Sequence, residues 1–334
     1  MGKNDDLATA YAHIGVIGGG AWGTALALVS AQPGRAVTLW AREPEVVAAI
    51  EEKRENTPFL SGVALPANIE ATGNLAAAAA ADLLLVVVPA QHLRTILEQL
   101  RTHVRANVPF VLCAKGIERE TGKLLTEVLA ETVPDAEPAI LSGPSFACDV
   151  ALGLPTAVTI AARAGVAQRL QATLGHGQFR PYASEDLIGV ALGGAAKNVY
   201  AIACGMVAGL GLGESARAAL LARGFAELRR LGRALGARDE TLMGLSGLGD
   251  LVLTATSPTS RNFSFGLLLG RGKPLAATDQ PLAEGVETAP ALVTRAKSHG
   301  IELPVAEAVA DILSGRLALS DALPRLMARP LTTE

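Results

Sequence analysis

Six short runs in the first half of the chain are continuously apolar rather than alternating, apart from an end residue or a threonine: "HIGVI" at His13, "AVTLW" at Ala36, "DLLLVVV" at Asp82, "PFVLCA" at Pro109, "PAIL" at Pro138 and "TAVTI" at Thr156. Successive side chains of a strand point to opposite faces, so a strand with water on one side alternates polar and apolar residues. Runs without that alternation are expected for parallel strands covered by helices on both faces. Amphipathic stretches such as "AQHLRTILEQLR" and "TGKLLTEVLAE" lie between them, and the alanine run Ala76–Ala81 reads as a further short helix. The alternation predicts a Rossmann-type, doubly wound α/β sheet over residues 1–186.

After about Leu187 the strand pattern stops. "LIGVALGGAAKNVYAIACGMVAG", "ESARAALLARGFAELRRLGRALG", "APALVTRAKSHG" and "PVAEAVADILSG" read as helices, which predicts an all-α domain over 187–334 with a cleft between it and the first. The glycines of "GLGLGE", Gly209–Glu214, follow a helix and read as the turn that ends it. A chain of 334 residues, half of them hydrophobic, has enough apolar material for two cores.

Charge and cysteine content narrow the classes of function. The formal net charge of -3 provides no global field for a nucleic-acid partner, so anions must be bound by local clusters. Cys113, Cys148 and Cys204 are odd in number and far apart, as expected of reduced, buried thiols in a cytoplasmic protein. Asp5 and Asp6 stand where an export signal would be apolar, so the leader reads as a frayed segment and not as a signal. The apolar stretch Leu187–Leu212 is interrupted by Lys197 and Asn198 and reads as a buried helix, with no membrane span.

The stretch "HIGVIGGGAWGTALALVSA" joins the first strand to a helix through Gly18-x-Gly20-x-x-Gly23. In dinucleotide binding the first glycine makes the tight turn, the second admits the diphosphate to the backbone, and the third lets the helix pack closely. The diphosphate rests on free N–H groups at the helix N-terminus. About twenty residues on, "LWAREPE" places Arg42 where NAD-preferring sites carry an acidic residue. A guanidinium there suits a 2′-phosphate, so NADP(H) is favoured with NAD(H) possible; a solvated arginine opening the next helix is the alternative.

Ligands of open parallel sheets sit at the carboxyl ends of the strands. Lys115, in "FVLCAKGIE", and the loop "LSGPSFACD" occupy such ends and are candidate substrate contacts, beside the alternatives of a surface lysine and an ordinary Gly-Pro turn. The five histidines are scattered and none pairs with a cysteine at ligand spacing, so no metal is expected. "GLSGLG" lacks the spacing of a serine-hydrolase elbow. Lys197, one helical turn after Gly193 and Gly194, sits in an apolar run where small neighbours leave room for a ligand or another backbone. Desolvation and a second cation such as Lys115 would lower its pKa and fit it for general base work, against the alternative of a lysine reaching water along its stem. Ser260, Arg261 and Asn262, in "SPTSRNFSFG", combine hydroxyl, guanidinium and amide at a helix start, which suits a phosphate or a simple capping turn. Asp250, after "GLSGLG", is placed to steady a charged lysine or accept a substrate hydroxyl.

"GGGAWGTALA", "CAKGI", "LSGPSFA", "GGAAKNVYAIACG", "GLGDLVLTATSPTSRN" and "LAEGVETA", in this order over nearly the whole chain, resemble the bacterial NAD(P)-dependent glycerol-3-phosphate dehydrogenases. The resemblance implies interconversion of sn-glycerol 3-phosphate and dihydroxyacetone phosphate at the entry to glycerophospholipid synthesis, in a cytoplasmic homodimer. It implies Lys197 as proton acceptor. Substrate contacts are then Lys115, Gly143, Ser145, Asp250, Ser260, Arg261 and Asn262. Cofactor contacts, beside Gly18, Gly20 and Gly23, are Ala21, Trp22, Arg42, Lys115, Ala147, Arg261, Leu282 and Glu284. Ala21 replaces a frequent serine, Asp149 a common glutamate and Ser215 a usual asparagine, departures that touch cofactor preference and packing more than reaction type. A related hydroxy-acid dehydrogenase and a non-catalytic NADP-binding sensor remain the alternatives.

Overall fold

The computed structural model of the protein describes residues 10–273 and 283–328; Asp5 and Asp6 of the leader lie outside them. The chain divides into two compact units. Residues up to Ala114 together with Leu125–Ala191 form one, and Lys115–Leu124 with the residues from Leu192 onward form the other.

The described residues of the first unit form ten strands: β1 His13–Ile17, β2 Ala36–Trp40, β3 Glu55–Asn56, β4 Leu60–Ala64, β5 Ile69–Thr72, β6 Leu83–Val86, β7 Pro109–Leu112, β8 Glu137–Ser142, β9 Thr156–Ala161 and β10 Phe179–Ser184. Eight of them make one sheet in the order β10-β9-β8-β7-β6-β1-β2-β5, and β3 pairs with β4 in a small antiparallel ribbon. The chain steps outward from β1 through β2 to β5, then returns and steps the other way through β6 and β7 to β8, all in parallel. The reversal between β1 and β6 is the switch point at which doubly wound sheets hold their ligands. Helices α1 Ala21–Ser30, α2 Pro44–Lys53, α3 Leu75–Ala79, α4 Leu93–Leu100, α5 Leu125–Thr132, α6 Ala147–Ala151 and α7 Ala164–Leu174 connect the strands. Ile14, Val16, Leu39, Leu83, Leu85, Val111 and Leu141 are buried in one core with Leu26 of α1 and Leu170 of α7. Parallel strands covered on both sides account for the continuous apolar runs.

One run departs from the parallel expectation. The "TAVTI" strand β9 is antiparallel to β8, with Leu141 opposite Ile160. The only helix between them, α6, has five residues. At a rise of about 1.5 Å per residue it cannot carry the chain back along a strand of about 20 Å for a parallel return. Of the eight strands in the large sheet, two, β5 and β10, have no counterpart among the six apolar runs, and neither do β3 and β4 of the small ribbon. Strands β5 and β10 lie at sheet edges, where polar residues such as Glu70 and Arg180 and even Pro181 are tolerated.

The second unit is helical: most of α8 Leu187–Gly209, then α9 Glu214–Leu235, α10 Asp239–Met243, α11 Asp250–Thr256, α12 Arg261–Gly270, α13 Glu284–Ser298, α14 Pro304–Leu313 and α15 Leu319–Met327. A π-helical turn, Leu245–Gly249, leads into α11. The glycines of α8 are packing surfaces. A Cβ at Gly205 would stand 2.1 Å from the Phe263 carbonyl oxygen of α12, and one at Gly266 of α12 would stand 2.0 Å from that of Ile202. Two helix backbones can approach this closely only where neither carries a side chain. By length and composition alone, α8 is the one described helix able to cross a membrane, and 89% of its apolar window is buried within the protein. Cys113 and Cys204 are buried, as expected; Cys148 is exposed, because short α6 buries only Val150.

Candidate active site

The glycine loop follows β1, beside the switch point. Gly18 has φ +127°, a conformation that side chains oppose, and a Cβ there would lie 2.8 Å from the Val87 carbonyl oxygen. At Gly23 a Cβ would lie 1.8 Å from the Gly18 carbonyl oxygen, so α1 seats against the turn only without one. A Cβ at Gly20 would meet no protein atom within 4 Å. Packing therefore explains the first and third glycines and leaves the second open to a ligand that touches the backbone. Gly20 is the N-cap of α1 and makes no side-chain cap, so the first N–H groups and the positive end of the helix dipole are available to an anion. Half-buried Ala21 and Trp22 begin the helix, and the Trp22 indole N–H is buried with no hydrogen-bond partner among the described residues. A cradle that a Cβ would fill and an orphaned donor both fit a dinucleotide at this loop.

Arg42 lies just beyond β2, with its side chain 75% exposed and its guanidinium donating to Glu43 at 2.7 and 3.0 Å. Such an exposed pair is worth about 0–1 kcal/mol and yields to a stronger anion. After β8, Gly143 takes φ +150° and the Ser145 hydroxyl donates to its carbonyl at 3.0 Å; Ala147 opens α6.

The lysine cluster lies within the helical unit. Gly193 and Lys197 are one turn apart on α8, and a Cβ at Gly193 would stand 2.6 Å from the Ser246 carbonyl oxygen and 3.0 Å from Gly247 Cα. The space beside Lys197 thus admits another backbone, the π-helical turn that delivers Asp250. Asp250 is 0% exposed. One of its oxygens accepts from Lys197 Nζ at 2.6 Å and the other from Lys115 Nζ at 2.7 Å. Lys197 also donates to the Thr254 hydroxyl at 2.8 Å, and that hydroxyl donates to Asp250 at 3.3 Å. Lys197 is 7% exposed. Burial lowers its pKa from 10.5 to about 8; the Asp250 carboxylate opposes the shift and the Lys115 ammonium adds to it.

An amide relay braces the cluster. Asn198 donates to the Lys115 carbonyl at 3.0 Å, Asn262 donates to the Asn198 side-chain oxygen at 2.9 Å, and the Gly285 N–H donates to the Asn262 side-chain oxygen at 2.9 Å. Ser260 caps α12, accepting from Phe263 N at 3.3 Å, while Arg261 at the first position of α12 is exposed. Glu284 opens α13. Leu282 lies outside the described residues. The helical unit therefore brings together Lys115, Lys197, Asp250 and Asn262, and Gly143, Ser145 and Ala147 belong to the sheet unit. From the sequence Thr254 carries no signal, and Asn198 stands out only as a polar break in the apolar run, without the bracing role it has here. Thr254 follows Asp250 by one turn, a spacing that shares a helix face. Among the described residues no cluster of three or more His, Cys, Asp or Glu side chains is placed to hold a metal ion.

A Rossmann sheet with an open diphosphate loop, in one chain with a helical unit that buries a lysine of lowered pKa, defines the protein as a dinucleotide-dependent oxidoreductase. Residues 13–167 match the N-terminal part of the NAD-dependent glycerol-3-phosphate dehydrogenase family, and residues 186–324 match its C-terminal part. The chain belongs to that family. It is 57% identical to the glycerol-3-phosphate dehydrogenase [NAD(P)+] of Parvibaculum lavamentivorans over 98% of its length and 100% of that protein. It is 58% identical to the one of a Bradyrhizobium species over 97% and 98%. Its fold superposes on the crystal structure of glycerol-3-phosphate dehydrogenase from Coxiella burnetii with a TM-score of 0.90 at 37% identity, covering 96% of this chain and 99% of that one.

Proposed function

We propose that this chain interconverts sn-glycerol 3-phosphate and dihydroxyacetone phosphate, with Lys197 exchanging the hydroxyl proton. The observation that carries the reading is the buried Lys197–Asp250–Lys115 bridge in a chain that also bears the glycine loop. Residues 1–186 hold the dinucleotide through Gly18, Gly20, Gly23, Ala21, Trp22, Arg42, Lys115 and Ala147, with Arg261, Leu282 and Glu284 contributing from the rest of the chain. Residues 187–334 hold the substrate, with Arg261 forking onto its phosphate and Ser260, Asn262, Gly143, Ser145 and Lys115 as further contacts. When bound, the nicotinamide supplies the hydride acceptor or donor for the central carbon.

The rest of the chemistry belongs to the side chains. Lys197 Nζ has three directions besides its own stem; Asp250 and Thr254 take two, which leaves the third for the substrate hydroxyl. With a pKa near 8 the amine is neutral in a useful fraction of molecules and accepts the proton in the oxidative direction. Asp250 then stabilises the ammonium. Lys115 anchors the other Asp250 oxygen, so the carboxylate stays in place in both protonation states. The Arg42 guanidinium, held to Glu43 only by a weak exposed pair, favours NADPH over NADH. The resemblance of the motifs supports reading the enzyme as a cytoplasmic homodimer that supplies glycerophospholipid synthesis.

The deciding experiment follows NADPH and NADH oxidation side by side with dihydroxyacetone phosphate, for the native enzyme and Lys197→Ala. Native turnover with this substrate and a loss of about a hundredfold to ten-thousandfold in the variant are expected for a general acid–base group. Absence of native turnover would refute the reaction, and near-native turnover of the variant would refute the role of Lys197.

A further inference from the structure

Asn56 is 0% exposed, although it lies in the two-residue strand β3 and no part of the chemistry above uses it. Its side-chain amide donates to the Gly19 carbonyl at 2.8 Å and to the Thr24 hydroxyl at 2.7 Å, and its oxygen accepts from Phe59 N at 3.3 Å. Thr24, likewise fully buried, passes the contact on by donating from its hydroxyl to the Gly20 carbonyl at 3.0 Å. The orientation of the Asn56 amide is fixed by its partners, since the Gly19 carbonyl can only accept and the Phe59 N–H can only donate.

We infer that Asn56, through Thr24, is a positioning residue for the diphosphate of the dinucleotide. The inference rests on the dinucleotide reading of the glycine loop. A trans peptide is planar, with its C=O and N–H pointing in opposite directions. Drawing the Gly19 carbonyl inward onto Asn56 therefore turns the Gly20 N–H outward, at the residue where a side chain would meet no protein atom. The same rule applied to the Gly20 carbonyl, held by Thr24, turns the Ala21 N–H away from the interior. Those are the two donors that a diphosphate at the start of α1 would meet first. Three consecutive glycines, Gly18 to Gly20, would otherwise sample many conformations, and each would have to be given up on binding. Asn56 and Thr24 fix the loop before the ligand arrives. They do so from 37 and 5 positions away from Gly19 in the chain, by contacts that leave the loop's outer face untouched.

The test measures dissociation constants for NADPH, NADH and ADP-ribose by calorimetry in the full-length protein, with kcat and the KM for dihydroxyacetone phosphate measured at saturating NADPH. Asn56→Leu keeps the approximate size and removes the donors. Thr24→Val keeps the shape and removes the hydroxyl, and Thr24→Ser restores it. Asn56→Leu should weaken all three ligands about tenfold or more, and Thr24→Val several-fold, as expected for lost buried hydrogen bonds. Thr24→Ser should stay within about twofold of native, and kcat and the substrate KM within about threefold in every variant. Asn56→Leu that folds and binds the three ligands as tightly as native protein overturns the inference. Where Asn56→Leu does not fold, equal affinities in Thr24→Val and Thr24→Ser overturn it. Native protein that binds none of the three refutes the dinucleotide reading itself, a result distinct from variants that bind as well as native.

Discussion

Raising the pH through about 8 titrates Lys197, and the consequence differs in sign between the two directions of the proposed reaction. Oxidation of glycerol 3-phosphate requires the neutral amine and should accelerate as the pH rises through that value. Reduction of dihydroxyacetone phosphate requires the ammonium and should slow over the same interval. The displacement from 10.5 to about 8 corresponds to about 3 kcal/mol at 1.36 kcal/mol per unit. The carboxylate of Asp250, 2.6 Å from Nζ, keeps it from going further. Two unit charges about 4 Å apart interact by about 4 kcal/mol at an effective dielectric of about 20, so even a third of that is about one pH unit. Asp250→Asn removes this attraction and leaves the Lys115 ammonium, and both limbs should move down by about one unit or more. The assay is kcat/KM in each direction between about pH 7 and pH 10, above the second ionisation of a phosphate ester near 6, so substrate titration does not intrude. Limbs of the same sense in both directions would refute Lys197 as the proton carrier. A limb that moves upward in Asp250→Asn would refute the electrostatic account.

Gly193→Ala places a Cβ 2.6 Å from the Ser246 carbonyl and 3.0 Å from Gly247 Cα, so the π-helical turn must retreat. A cost of about 1–3 kcal/mol in thermal stability is expected from overpacking, with a fall in kcat as Asp250 shifts; unchanged melting and turnover would contradict the packing. Glu227 is buried under the first N–H groups of α14, accepting from Val305 at 2.7 Å and Ala306 at 3.3 Å, and burial raises its pKa from 4.5 to about 7. The folded form keeps its proton where the unfolded chain has lost it. The contribution to stability is therefore complete below about pH 4.5 and lost as the pH rises through about 7. Glu227→Gln should flatten that decline in melting temperature, and parallel declines in native and variant proteins would contradict it.

What the sequence made legible depended on whether a constraint was local. The six central runs identified themselves because burial on both faces removes the polar–apolar alternation from a strand and leaves little that is polar beyond an occasional threonine. The edge strands β5 and β10 did not, because an edge tolerates the same Glu, Arg and Pro that mark a loop. The direction of β9 was hidden for a different reason: a hydrophobic run says that a strand is buried and nothing about which way it points. At the site, Gly18-x-Gly20-x-x-Gly23 was readable because its three requirements fall within six residues, whereas the clamp on that loop comes from Asn56 in "RENTPF", where no periodicity or motif distinguishes a buried amide from a turn residue. Lys197 stood out only as an anomaly in an apolar helix. Its partner Thr254, 57 residues away, reads from sequence as one more β-branched position. The glycines beside Lys197 left two explanations open, a ligand or a backbone, and the geometry at Gly193 chooses the backbone. That choice changes what the motif means. The small residues before the lysine serve to bring in Asp250, and it is the carboxylate so delivered, balanced between two ammonium groups, that lets a lysine be buried at all and still titrate near the pH at which it must work.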